Sequence, residues 1–144
     1  MCRISLLLLE DNSLDVQLVL ERLRKEKFDF DYTHADCREA FETAIANGRF
    51  DLILADHNLP DYDGVSALEF TRERLPHVPF IFVSGTLGEE LAVDTLKRGA
   101  TDYVVKQRLD RLGPAIQRAL AQNKEMKRME RALSVSQERL DLVL

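Results

Sequence analysis

Apolar residues fall along this chain in two alternating rhythms. Short unbroken runs occupy Ile4–Leu9, Leu52–Ala55, Pro79–Val83 and Tyr103–Val105, with a weaker run at Phe28–Thr33. Runs of this length and continuity suit strands buried on both faces. Between them, apolar positions recur at helical spacing. Asn12 or Ser13 leads into Val16, Val19, Leu20 and Leu23, and Asp36 opens a pattern that stops at Asn47-Gly48. Asp63-Gly64 precedes a third pattern, Gly88 a fourth that ends at Gly99, and Gly113-Pro114 a fifth, with proline in the first turn where its missing N–H is harmless. Strand and helix alternate five times. This order predicts an α/β fold, a doubly wound five-stranded parallel sheet with helices on both faces.

In such an open sheet the working site lies beyond the carboxyl ends of the strands, where the strand order reverses. The residues that follow the strands are therefore the candidates. Glu10 and Asp11 follow the first, Asp56 the third, Ser84 the fourth and Lys106 the fifth. One unpaired carboxylate is costly to bury, and a second beside it raises the pKa of at least one, unless a cation sits between them. Three carboxylates, a hydroxyl and an ammonium on four strands are hard to explain as solvation alone.

Composition narrows the partners. With 144 residues, 45% apolar and 31% charged, the chain is long enough for one domain with a real core plus an appendage. A net charge of −5 and a pI near 5.2 argue against direct binding of a nucleic-acid backbone. Cys2 and Cys37 fit no metal spacing and no disulfide framework, so a reducing, cytoplasmic location is expected. The apolar runs are too short for a membrane segment.

At this point the residues resemble a known family, the receiver (CheY-like) domain of two-component response regulators, over about Ile4 to Leu120. The resemblance implies a flavodoxin-like sheet of order 2-1-3-4-5. It implies Asp56 as the phospho-acceptor, Ser84 and Lys106 as its hydroxyl and lysine partners, and Tyr103 as an aromatic switch. It makes Glu10, Asp11, Asp56 and the backbone carbonyl of Asn58 the ligands of Mg²⁺, and gives the Gly85 amide a phosphoryl oxygen. Asn58 and Thr86 match positions that tune the lifetime of the phosphoryl group. The chemistry supports each type: a carboxylate can attack phosphorus once the charge repulsion is offset, and Mg²⁺ is a hard ion that wants oxygen ligands. If Ser84 moves toward the phosphate, Tyr103 can turn into the vacated space, altering the face built by helix four, strand five and helix five. The implied donor is a sensor histidine kinase or phosphotransfer protein, and no external substrate is turned over. Two departures stand out. Gln107 replaces the usual proline after the lysine, so the cis peptide often found there is not expected, and the acidic pair is Glu-Asp rather than Asp-Asp.

His57 beside the acceptor is expected to line the site mouth, and His34 and His77 to lie on the surface. From Pro114 the helical pattern continues without glycine or proline, about 45 Å of helix if unbroken. We expect a receiver domain over 1–121 and a signalling helix over 122–144 leading to a missing output domain. Leu112, Ala119, Met126, Leu133 and Leu140 fall every seven residues, but the complementary Asn123, Glu130 and Gln137 are polar. A solvated helix and a parallel homodimer contact are both open, with the dimer preferred. The closing stretch SQERLDLVL resembles the lead-in to a PAS sensor domain, as in hybrid histidine kinases. Two rival functions remain. One is a docking or dimerisation module that works without phosphate, against which Asp56 speaks. The other is a Mg²⁺ phosphohydrolase with an aspartyl nucleophile, disfavoured because Asn58 stands where such enzymes commonly place a second acid.

Overall fold

The computed structural model describes residues 3–85 and 89–143, with side chains to residue 133 except at 58, 89–91, 127 and 130. In chain order the elements are β1 (Ile4–Leu9), α1 (Ser13–Lys25), β2 (Phe30–Ala35), α2 (Arg38–Asn47) and β3 (Leu52–Ala55). They continue with α3 (Gly64–Arg74), β4 (Phe80–Ser84), α4 (Glu89–Lys97), β5 (Asp102–Val105), a 3-10 turn (Lys106–Arg111) and α5 (Leu112–Val143). The five long strands form one parallel sheet of order β2-β1-β3-β4-β5. This is the flavodoxin-like order, with its reversal between β1 and β3.

Strand alternation explains why both faces are covered. Side chains of successive strand residues point to opposite faces. Leu6, Leu8, Leu52, Leu54, Ile81, Val83 and Val104 make one core with the apolar stripes of α1 (Val16, Val19, Leu20, Leu23) and α5 (Leu112, Ala115, Ile116, Ala119). Their neighbours Leu7, Leu9, Ile53, Ala55, Phe80 and Phe82 make the other, with Phe41 and Ile45 of α2 and Ala67 and Leu68 of α3. Helices α1 and α5 approach closely; a Cβ at Gly113 would run into the Glu26 carboxylate.

Caps fix where the helices begin. Asn12 accepts from the Asp15 N–H at 3.1 Å, and Asp63 from the Ser66 N–H at 2.7 Å. Each satisfies a donor that the first helical turn would leave unpaired. The cap of α2 is Cys37 rather than the expected Asp36, and it makes no side-chain capping bond. At the end of α4, Gly99 has φ +113°, a conformation that glycine alone adopts without a steric penalty.

Three strand limits differ from expectation. The second strand begins two residues later than predicted and reaches Ala35. Strand β4 starts at Phe80 and includes Ser84, and β5 starts at Asp102. A two-residue antiparallel hairpin, Asn58–Leu59 with Tyr62–Asp63, was not anticipated in the loop after β3. It is pinned by Tyr62, which is buried, packs on the Phe41 ring and donates to Glu42 at 3.1 Å. Burial and that bond push the Tyr62 hydroxyl up from its ordinary pKa.

Helix α5 starts two residues before Pro114 and extends 32 residues. Its last core residue is Ala119, with Leu120 packed beside it. Beyond these, Met126, Met129 and Leu133 are exposed. Among the described residues no helix is long and apolar enough to cross a membrane.

Candidate functional site

The register brings the strand ends level. Leu9 pairs with Ala55, Ala55 with Phe82, and Ser84 with Val105. Backbone bonds carry the alignment one step past the strands: Asp56 N–H donates to the Leu9 carbonyl at 2.9 Å, and Glu10 N–H to the Ala35 carbonyl at 3.0 Å. Glu10, Asp11 and Asp56 then each offer a carboxylate oxygen within 4.8 Å of the other two. Glu10 and Asp56 are buried, whereas Asp11 is exposed. Three hard oxygen donors converging at that separation fit a hard divalent cation.

Lys106 opens the 3-10 turn directly after β5, and its Nζ enters the same cluster. It lies 3.2 Å from Asp56 Oδ2, 2.9 Å from Glu10 Oε2 and 2.6 Å from Asp15 Oδ2. Ser84, fully buried, donates to the other oxygen of Asp56 at 3.1 Å. The acceptor candidate is thus held on one oxygen by a hydroxyl and on the other by an ammonium.

Four carboxylates, Glu10, Asp11, Asp15 and Asp56, and one ammonium leave this edge strongly negative. Burial pushes Glu10 up to about 7, although Lys106 and the Asn12 N–H, which donates to its Oε1 at 3.1 Å, work the other way. For Lys106, burial favours the neutral form, but the bonds to Asp15 and Glu10 and the charge of Asp56 outweigh it and raise its pKa. The ammonium therefore stays charged near neutral pH.

The remaining predicted residues fall as follows. Tyr103 is half-buried on β5, its ring 6.3 Å from that of Phe82. Burial pushes the pKa of its hydroxyl up, against an opposing interaction with the Ser84 side chain. Gly85 is half-buried, and a Cβ there would meet nothing within 4 Å. Asn58 opens the small hairpin, paired across it with Asp63. Thr86 lies outside the described residues.

One histidine expectation needs correction. His57 does not line the mouth: it is 8% exposed, its ring packed on Phe82 at 5.5 Å and its backbone against Gly64. His34 is exposed as expected, yet its Nε2 lies 2.7 Å from the Glu10 carbonyl. A carbonyl can only accept, so that nitrogen carries the proton and anchors the Glu10 backbone. Asp15 was missed altogether. Its place in the first turn of a helix, four residues past Asp11, is the one signal by which it was findable.

Comparison with known proteins agrees with this geometry. The response regulator receiver domain family matches residues 6–117. The regulatory protein AtoC of Escherichia coli is 36% identical over 113 residues, covering 68% of this chain and 24% of that protein. The cell cycle transcriptional regulator CtrA of Caulobacter vibrioides is 34% identical, over 69% of this chain and 42% of that protein. The chain thus spans less than half the length of these relatives. Among solved structures, a CheY-like response regulator receiver domain protein from Methanospirillum hungatei superposes with a TM-score of 0.74 at 25% identity, covering 87% of this chain and 99% of its own. NtrX from Brucella abortus gives 0.80 at 26% identity, over 90% of this chain and 30% of that one. With sheet order, strand-end chemistry and these likenesses in agreement, the chain belongs to the response regulator receiver domain family, the phospho-accepting domains of two-component signalling.

Proposed function

We propose that Asp56 is the residue that accepts the phosphoryl group in this receiver domain. The observation that carries the reading is Asp56 itself: one oxygen bonded by buried Ser84, the other by Lys106, within 4.8 Å of carboxylate oxygens of Glu10 and Asp11. Receiver domains take phosphoryl groups from histidine kinases and in general bind Mg²⁺. Here the donor is a sensor histidine kinase or a phosphotransfer protein. A carboxylate oxygen of Asp56 attacks phosphorus, the bond from phosphorus to the donor's imidazole nitrogen breaks, and its electron pair stays on that nitrogen. The product is an acyl phosphate, which water later cleaves to free phosphate.

Glu10, Asp11 and Asp56, with the Asn58 carbonyl, would hold Mg²⁺. Bound there, the ion supplies positive charge against the incoming phosphoryl oxygens. Lys106 binds one of those oxygens, and Ser84 with the Gly85 amide another. Tyr103, half-buried beside Ser84, turns toward the space that Ser84 leaves. The α4–β5–α5 face is the surface this changes. Asn58 and Thr86 tune how long the phosphoryl group lasts.

Residues 1–121 form the receiver and 122–144 a signalling helix, a division supported by the end of core packing at Ala119 and Leu120. An output module, a sensor or kinase, receives the signal in a cytoplasmic protein. Exposed Met126, Met129 and Leu133 support a homodimer contact along α5.

Mass measurement after treatment with acetyl phosphate and Mg²⁺ tests the acceptor. The native chain gains one phosphoryl group and Asp56→Asn gains none. Equal gain by both, or gain by neither, rejects Asp56 as the acceptor, and gain by neither moves a phosphate-independent docking role to first place.

A further inference from the structure

Of the three carboxylates around Lys106, the closest is the one that no expected role had assigned. Asp15 Oδ2 lies 2.6 Å from Nζ, against 2.9 Å for Glu10 and 3.2 Å for Asp56. The ammonium is therefore drawn toward α1 and away from the acceptor. Asp15 is itself held in place. Its N–H donates to Asn12 Oδ1, and the Asn12 N–H donates to Glu10 Oε1. Glu10 and Asp15 both face Lys106, so the contacts close into a ring: Glu10, Asn12, Asp15, Lys106. The same asparagine that caps the helix sets the two carboxylates that grip the lysine.

We propose that Asp15 is a positioning residue that holds the Lys106 ammonium in a resting place on α1, in competition with the phosphoryl group. The proposal rests on the reading that Asp56 accepts that group. Lys106 has three N–H donors, and a phosphoryl oxygen must win one of them. Asp56 and Glu10 belong to the reaction centre, whereas Asp15 does not, so the Asp15 contact is the one given up. No covalent bond changes and no proton moves in this step; the ammonium exchanges one anionic oxygen for another. Asp15 also adds negative charge near the path of an incoming phosphoryl dianion. Both effects act in one direction. They slow acceptance, and they set a threshold that a donor must exceed.

The test compares the 144-residue native chain with Asp15→Asn, Asp15→Ala and Asp15→Glu. Phosphoryl uptake from phosphoramidate with Mg²⁺, and affinity for beryllofluoride as a phosphoryl mimic, are measured alongside the ¹⁵N signal of the Lys106 ammonium. Asp15→Asn and Asp15→Ala are expected to take up phosphoryl roughly fivefold faster and to bind beryllofluoride correspondingly tighter, the size of one part-exposed charged contact exchanged. The Lys106 signal, slow to exchange in the native chain, weakens in Asp15→Ala, while Asp15→Glu returns uptake toward the native rate. A residue that served only to build the fold would slow uptake on removal. Variants equal to or slower than native overturn the proposal alone. A native chain that takes up no phosphoryl group overturns the functional reading and this proposal with it.

Discussion

Ser84 and Asp56 are joined by a 3.1 Å hydrogen bond between residues 28 positions apart, at the ends of two neighbouring strands, and neither is more than 7% exposed. A phosphoryl group on Asp56 would compete for that hydroxyl, so the bond links the acceptor to the end of β4 and, through the Phe82 ring, to Tyr103. In Ser84→Ala the link is gone. The loss of one buried hydrogen bond costs about 1 kcal/mol, which lowers the melting temperature by roughly 4 °C. Backbone NMR shifts of β5 and α5 in the phosphorylated variant should stay near their resting positions. Shifts that follow the native pattern would remove Ser84 from the switch.

Cation binding should depend on pH through Glu10. A proton on its carboxyl must leave before the oxygen can serve a metal. With the group at about 7, Mg²⁺ affinity climbs about tenfold per pH unit below neutrality and levels off above it. Calorimetric titration in two buffers of different ionisation heat would show the released proton. An affinity unchanged across this range contradicts the assignment of Glu10.

The same shift governs stability of the metal-free chain. Because burial raises Glu10 above its ordinary 4.5, its contribution favours folding fully below that value and is lost as pH rises through about 7. Melting temperatures without metal should fall over this interval, and Glu10→Gln should flatten the fall. A native curve already flat there would show that Glu10 stays ionised when buried.

Removing the central cation exposes the repulsion it masks. Lys106→Met leaves Glu10, Asp15 and Asp56 facing one another without an ammonium. Breaking such a cluster from one side costs about 3 kcal/mol near neutral pH, and Mg²⁺ should recover part of it. Urea unfolding with and without the ion measures both. Equal stability of variant and native chain in metal-free buffer would mean the carboxylates relax apart at little cost.

Two glycines beside the site should respond in opposite ways. A Cβ at Gly64 would stand 2.5 Å from the Phe82 ring and 3.0 Å from the His57 Cα. The second neighbour is backbone and cannot step aside, so Gly64→Ala should cost about 2 kcal/mol. Gly85→Ala meets open space and should change stability by less than about 0.5 kcal/mol. Similar denaturation midpoints for the two variants would contradict this packing.

The frame of the molecule was legible because it is written in local pattern. Leu6–Leu9 and Leu52–Ala55 are continuous apolar runs, and Val16, Val19, Leu20 and Leu23 mark one helical stripe. The strand-end rule then places Glu10, Asp56, Ser84 and Lys106 together. What escaped depends on contacts between distant residues. Asp15 looks like an ordinary first-turn acid that suits the helix dipole, and its partner is 91 positions away. His57 is polar and follows the acceptor, so sequence places it at the site mouth, but the tight approach of Gly64 and the Phe82 ring encloses it. The hairpin at Asn58–Asp63 has no alternating run to announce it, and Tyr62 stabilises it through contacts with α2.

The 3-10 turn that begins at Lys106 kinks at Arg108, where the backbone is non-helical at φ −127° and ψ 53°, and then leads into α5. At the standard rise the helix is about 48 Å long, so a tilt of about 5° at its base carries its far end through about 4 Å. The kink at Arg108, two residues past Lys106, thus sits at the base of a long arm. A shift too small to disturb the sheet can become, at the helix tip, a step as large as the spacing between neighbouring side chains.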